Sequence, residues 1–299
     1  MKLVFIHGRS QEDKDPLVLR QRWVVALREG LAEGGLELPI DERDIVFPYF
    51  GDALRDVTSE TPNSLSTVRF PLKENAEHVQ CEVLQECLEG IGINDATIFA
   101  KQGGEHDEEN FLDRLSNSSL SNEWVQRGLR LMDLYVPRAS AKSMESTAAD
   151  VTQYLSQPEV RGYIDNGVSN AFEQCEDDEV VVVGHSLGSI VAYSVLRDGG
   201  PVTRPVRALI TIGSPLGLRI VREAFAPIGY PPKVESWFNA YDERDIIALN
   251  PLDQKYFPVT PSIKNFGGVQ NESDNHHKIR GYLSDRVVAT SIVQALRGD

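Results

Sequence analysis

The stretch Val180-Val181-Val182-Val183-Gly184-His185-Ser186-Leu187-Gly188-Ser189-Ile190-Val191-Ala192-Tyr193 decides the fold, because a buried strand turns into a helix within it and a serine stands at the change. Four successive β-branched valines read as a strand covered on both faces. Leu187, Ile190, Val191 and Val195 then recur at helical spacing. A turn this tight holds Ser186 in a strained conformation and leaves no room for side chains at Gly184 or Gly188. The serine hydroxyl is expected at the positive end of the helix, where the Leu187 N–H points at a developing oxyanion. Ser186 is therefore read as a nucleophile, the plainer alternative being a helix N-cap.

Outward from this turn, the pattern is that of a parallel sheet with helical crossovers. Residues 2 to 7 read as a strand, Pro16 to Leu31 as an amphipathic helix with Leu19, Trp23, Leu27 and Leu31 on one face, and Ile45 to Phe47 as a second strand. Further strands are expected at Val206 to Ile212, ending in Gly213-Ser214-Pro215, and at Val234 to Ala240, ending in Tyr241-Asp242-Glu243-Arg244-Asp245. A last helix is expected near Asp285 to Leu296. From Gly51 to about Asp178 no strong strand candidate appears. Helical stretches near 74–90, 122–136 and 145–157 make this region a large helical insertion before the serine strand, and 101–122 reads as a polar surface loop. The whole chain, 1–299, is expected to be one domain carrying 51–178 as a possible cap or interaction subdomain.

Composition narrows the function. A formal charge of -15 repels nucleic acid and anionic membrane surfaces, so neither is expected as a partner. The three cysteines, Cys81, Cys87 and Cys175, form no Cys-x-x-Cys pair, which argues against a disulfide framework and a structural zinc site. The apolar run at the N-terminus, Leu3 to Ile6, is too short for a signal-peptide core, and no stretch reaches membrane-spanning length. A soluble cytoplasmic protein is expected.

A serine hydroxyl needs an imidazole to take its proton and a buried carboxylate to orient that imidazole. Of six histidines, His78 and His106 lie in the insertion, His185 is fixed beside the serine and His7 sits in the first strand's exit turn. His276 and His277 lie beyond the strands already identified. His277 is preferred because His277-Lys278-Ile279-Arg280-Gly281-Tyr282-Leu283 leads it into a helix, with His276 as the alternative. The tandem is no metal site by the spacing of its neighbours. Asp245, backed by Ile246, Ile247 and Ala248, is the first choice of carboxylate and Asp242 the second; either also suits a turn former. In the exit turn Phe5-Ile6-His7-Gly8-Arg9-Ser10, the glycine lets the Arg9 N–H join that of Leu187 as an oxyanion hole.

The early His7-Gly8, the Gly-His-Ser-Leu-Gly-Ser turn, Gly213-Ser214-Pro215, Asp245 and the late His277 together resemble the α/β-hydrolase superfamily, most of all its lipase-like and esterase-like members. The likeness covers the first 50 residues and roughly 179–299. It implies a three-layer α/β fold with a mostly parallel central sheet, no cofactor, no metal, and cleavage of esters, thioesters or amides through an acyl-enzyme. The sequence departs from the superfamily pattern in lacking its first two antiparallel strands and in the length of its insertion. Three readings follow. The first is a serine esterase acting on small-molecule esters. The second is a lipase or phospholipase whose stripe Trp124, Leu129, Leu131, Met132, Leu134 and Tyr135 contacts an acyl chain. The third is a hydrolase-fold module that meets a protein partner or a second copy through 51–178.

Overall fold

A computed structural model of the chain describes residues 1–8, 15–51, 76–93, 138–175, 178–272 and 275–298. Its six strands are β1 (Lys2–Ile6), β2 (Ile45–Val46), β3 (Val180–His185), β4 (Val206–Ile212), β5 (Trp237–Ala240) and β6 (Lys264–Phe266). They form one sheet in the order β2-β1-β3-β4-β5-β6, and every neighbouring pair is parallel. The antiparallel pair that the superfamily pattern would add is absent among the described residues.

Eight α-helices are described: α1 (Pro16–Glu33), α2 (Ala76–Gly90), α3 (Arg138–Ser156), α4 (Pro158–Glu173), α5 (Leu187–Leu196), α6 (Arg219–Ala224), α7 (Ile279–Leu283) and α8 (Arg286–Arg297). Alternate residues of a strand face opposite sides of a sheet. Val4, Ile6, Val180 and Val182 therefore pack under α2 to α6, while Leu3, Phe5, Val181 and Val183 pack under α1, α7 and α8. This is the expected three-layer α/β arrangement. Each fully buried valine or leucine of the strands contributes about 1.5–3 kcal/mol of transfer free energy, so the central strands anchor the molecule.

Local chemistry explains the helix ends. Asp15 accepts from the N–H groups of Leu17 and Val18 at 2.8 and 3.4 Å, with Pro16 in the first turn. Asp285 caps α8 in the same way, at 2.8 Å from Val287 N and 3.0 Å from Val288 N, and Gly298 ends it in the left-handed region at φ 78°. The chain between α3 and α4 breaks at Gln157, directly before Pro158.

Several boundaries differ from the sequence expectation. β1 stops at Ile6, β5 starts at Trp237 because Val234 makes only an isolated bridge to Val206, and α3 begins at Arg138 rather than 145. α4 and β6 lie outside the elements expected from the sequence. Within 51–178 the described residues form α2, α3 and α4 and hold no strand. The expected helix 122–136, with its Trp124 to Tyr135 stripe, and the loop 101–122 lie outside the described residues.

β1 has β2 on one side and β3 on the other, so the sheet order reverses between β1 and β3. In open parallel sheets a ligand crevice lies at the carboxyl ends of the strands at such a point. His7-Gly8 leaves β1 there, and Ser186 leaves β3 beside it.

Candidate active site

Ser186 stands between β3 and α5 with φ 54° and ψ -130°, and it is the one described non-glycine residue at positive φ. Its N–H donates to Ile212 O at 3.2 Å, which fastens the turn to the end of β4. The turn is possible because other backbone passes close by. A Cβ on Gly188 would collide with the Ile6 carbonyl and lie 2.6 Å from His7 O, and one on Gly8 would lie 2.7 Å from Ser186 Cβ. Beneath the turn, Ser189 Oγ donates to Ser186 O at 2.6 Å. Because that proton is committed, Ser214 Oγ donates to Ser189 Oγ at 2.7 Å while accepting from Leu216 N at 3.2 Å.

His277 lies in the approach to α7, its N–H held by Asn275 Oδ1 at 3.0 Å. Its Nε2 is 2.7 Å from Ser186 Oγ and its Nδ1 is 2.8 Å from Asp245 Oδ2. The carboxylate fixes the tautomer: Nδ1–H donates to Asp245, which leaves Nε2 to accept from the serine hydroxyl. Asp245 also accepts from Ile247 N at 3.0 Å and from Tyr282 OH at 2.6 Å. All three side chains are buried, Ser186 and Asp245 at 1% exposure and His277 at 7%. A narrow crevice of about 10 Å³, lined in part by Ser143 of α3, Arg244 and His276, reaches the imidazole and carboxylate.

The two alternatives are occupied elsewhere. Asp242 is bound by Arg244 through Nε at 3.0 Å and Nη2 at 2.8 Å, and accepts from Asn271 N at 2.7 Å. Burial pushes its pKa up, but the hydrogen bonds from Arg244 and Asn271 outweigh that and hold it below the usual carboxylate value. His276 Nδ1 donates to Asn271 O at 2.7 Å and stands 4.0 Å from Asp242 Oδ2. The structure thus brings Ser186, His277 and Asp245 together and sets His276 and Asp242 in a separate brace beside them.

Two further histidines support the surroundings. His185 Nε2–H donates to the His277 carbonyl at 2.9 Å, and burial, followed by the neighbouring His277, lowers its pKa well below the ordinary value, so it stays neutral. His7 accepts from Phe50 N at 3.1 Å through Nε2 and donates from Nδ1 to Gly8 O at 2.6 Å, with its ring stacked 4.0 Å from that of Phe50. The Phe50 amide lies 43 positions from His7 and the His277 carbonyl 92 positions from His185, so local spacing could not reveal these two bonds.

Leu187, as first residue of α5, has no intrahelical acceptor for its N–H. Arg9, the other expected amide donor, lies outside the described residues. α2 reaches this end of the sheet through Glu86, whose carboxylate accepts from Arg219 N at 2.7 Å and from Asn250 Nδ2 at 3.3 Å. Among the described residues no cluster of His, Cys, Asp or Glu is arranged to hold a metal, and no helix is long and apolar enough to cross a membrane. Cys81, Cys87 and Cys175 are buried and form no disulfide among the described residues.

Residues 140–246 match the family described as PGAP1-like alpha/beta domain. The matched segment runs from α3 to just past Asp245 and so contains Ser186 but not His277. No curated protein and no solved structure gave a significant match. The described structure is an α/β fold with one parallel sheet between two helical layers, and the matched segment and this layering are consistent with an α/β-hydrolase fold.

Proposed function

We propose that this protein is a serine hydrolase that cleaves carboxylic esters or thioesters through an acyl-enzyme. The observation that carries this reading is the unbroken chain from Ser186 Oγ to His277 Nε2 at 2.7 Å and from His277 Nδ1 to Asp245 at 2.8 Å, hung on a turn at φ 54°. A hydroxyl alone is a weak nucleophile, and an oriented neutral imidazole is what makes it competent near neutral pH. In the proposed cycle Ser186 attacks the ester carbon while His277 takes its proton, and Asp245 holds the imidazole and offsets its charge. The Leu187 N–H, joined by that of Arg9, receives the oxyanion. Collapse expels the alcohol or thiol, which takes the proton from His277. Water, activated by the same imidazole, then releases the acid. One oxyanion donor of this kind is worth about 10²–10³ in kcat.

A fluorophosphonate probe and a series of nitrophenyl esters, applied to wild type and Ser186→Ala together, test the reading. Labelling of Ser186 and ester turnover are expected in wild type, and both are abolished in the variant. A folded wild-type protein that neither labels nor turns over any ester length overturns the proposal.

A further inference from the structure

We infer that Tyr282 is a positioning residue that fixes and tempers the carboxylate of Asp245, an inference that rests on the serine hydrolase reading above. The phenol stands 2.6 Å from Asp245 Oδ2, the same oxygen that receives His277 Nδ1–H at 2.8 Å. Its direction is fixed by its other partner. The Asp242 N–H donates to the phenol oxygen at 3.2 Å, so the one phenolic proton goes to the carboxylate. Burial, and then the charge of Asp245, drive the Tyr282 pKa well above the ordinary value, which keeps the phenol a donor throughout the working range.

The ring is held as firmly as its hydroxyl. Tyr282 is fully buried, and the backbone at Gly213, with φ 56°, passes so close that an added Cβ would lie 3.1 Å from the ring and 3.3 Å from Asp245 Oδ2. His185, 5.9 Å away ring to ring, bonds the His277 carbonyl. Tyr282 therefore sets one end of the imidazole–carboxylate bond and His185 the other. Two consequences follow. The carboxylate cannot rotate Oδ2 away from the imidazole without breaking the phenol's bond. A second donor on that oxygen also draws off part of its negative charge, so the pull on the imidazolium is weaker than an otherwise identical carboxylate would exert. The titratable groups facing the pair are His185 from β3, Asp242 with its partner Arg244 from the same loop, His276 beside His277, and the Cys87 thiol of α2, which burial pushes up.

Tyr282→Phe in the full chain tests this. The KM for a short nitrophenyl ester is expected to stay at the wild-type value and kcat to fall about tenfold. The acid limb of the rate profile is expected to move to higher pH, and the downfield proton resonance of the His277–Asp245 bond to move further downfield. An unchanged limb and an unchanged resonance overturn the inference, even where activity and thermal stability fall together, because that result marks a merely structural role. Should the variant not fold, 3-fluorotyrosine at 282 keeps the ring and strengthens the donor. The resonance is then expected to move upfield, and its standing still overturns the inference. The resonance needs no turnover, so a wild type without esterase activity defeats the proposed function while the role of Tyr282 is still decided.

Discussion

Ser186 sits at φ 54°, a region that costs a residue with a side chain about 1–3 kcal/mol, and its neighbours hold it there from three sides. The Ile212 carbonyl takes its N–H, the Ser189 hydroxyl donates to its carbonyl, and the β1 exit presses against Gly188. Gly188→Ala is expected to destabilise the fold by about 3 kcal/mol, since the new methyl meets backbone that cannot retreat, and to abolish ester turnover. Urea unfolding and the ester assay check both. At this scale the sequence was legible where chemistry is local. The glycine-flanked serine between a valine run and a helix, and the order Ser186, Asp245, His277, mark themselves. The sequence ranks His277 above His276 and Asp245 above Asp242, but which side chain of each pair points at the serine turn depends on the local backbone path. Tyr282 stands in the run after His277, yet its bond to a carboxylate 37 positions earlier leaves no trace in the spacing.

Elements were legible in proportion to their periodicity. α1 shows Leu19, Trp23, Leu27 and Leu31 at intervals of one turn, behind a capping Asp15 and Pro16, and its start is as expected. α4 repeats Val160, Ile164, Val168 and Phe172 at the same interval, a stripe that is legible in the sequence even though Gly162 and Gly167 lower its helix propensity. β6 is three residues long at the sheet edge with an exposed Lys264, so neither alternation nor an apolar run announces it. The caps offer a test at this level. Asp285→Ala removes the acceptor for two N–H groups of α8, a helix whose Val288, Ile292, Val293 and Leu296 close one face of the sheet. A loss of about 1 kcal/mol is expected, seen as a fall in Tm of about 2 °C.

The molecule as a whole carries a charge of -15, and its response to acid depends on which carboxylates the fold holds ionised. Asp242 is one of them: despite burial, its bonds to Arg244 and Asn271 hold its folded pKa below the ordinary 3.8. A carboxylate of this kind contributes stability that is fully present above its unfolded pKa and is lost as pH falls through its folded pKa. Asp242→Asn is therefore expected to cost about 1–3 kcal/mol near neutral pH. The gap to wild type should close as pH drops below about 4, a course that thermal unfolding at stepped pH will trace. The layered α/β plan was readable because strand and helix patterns alternate on both sides of the serine turn, and the family match over 140–246 agrees with it. The order of the strands has one more consequence. β1 is made first yet lies inside the sheet, where Lys2 pairs with Val180. During synthesis at roughly 5–20 residues per second, the apolar run Leu3–Ile6 therefore waits about 9–36 seconds for that neighbour. Until then its β3-facing edge is uncovered, so the nascent chain is most prone to aggregate before β3 leaves the ribosome, and co-expression of holding chaperones should raise the soluble yield.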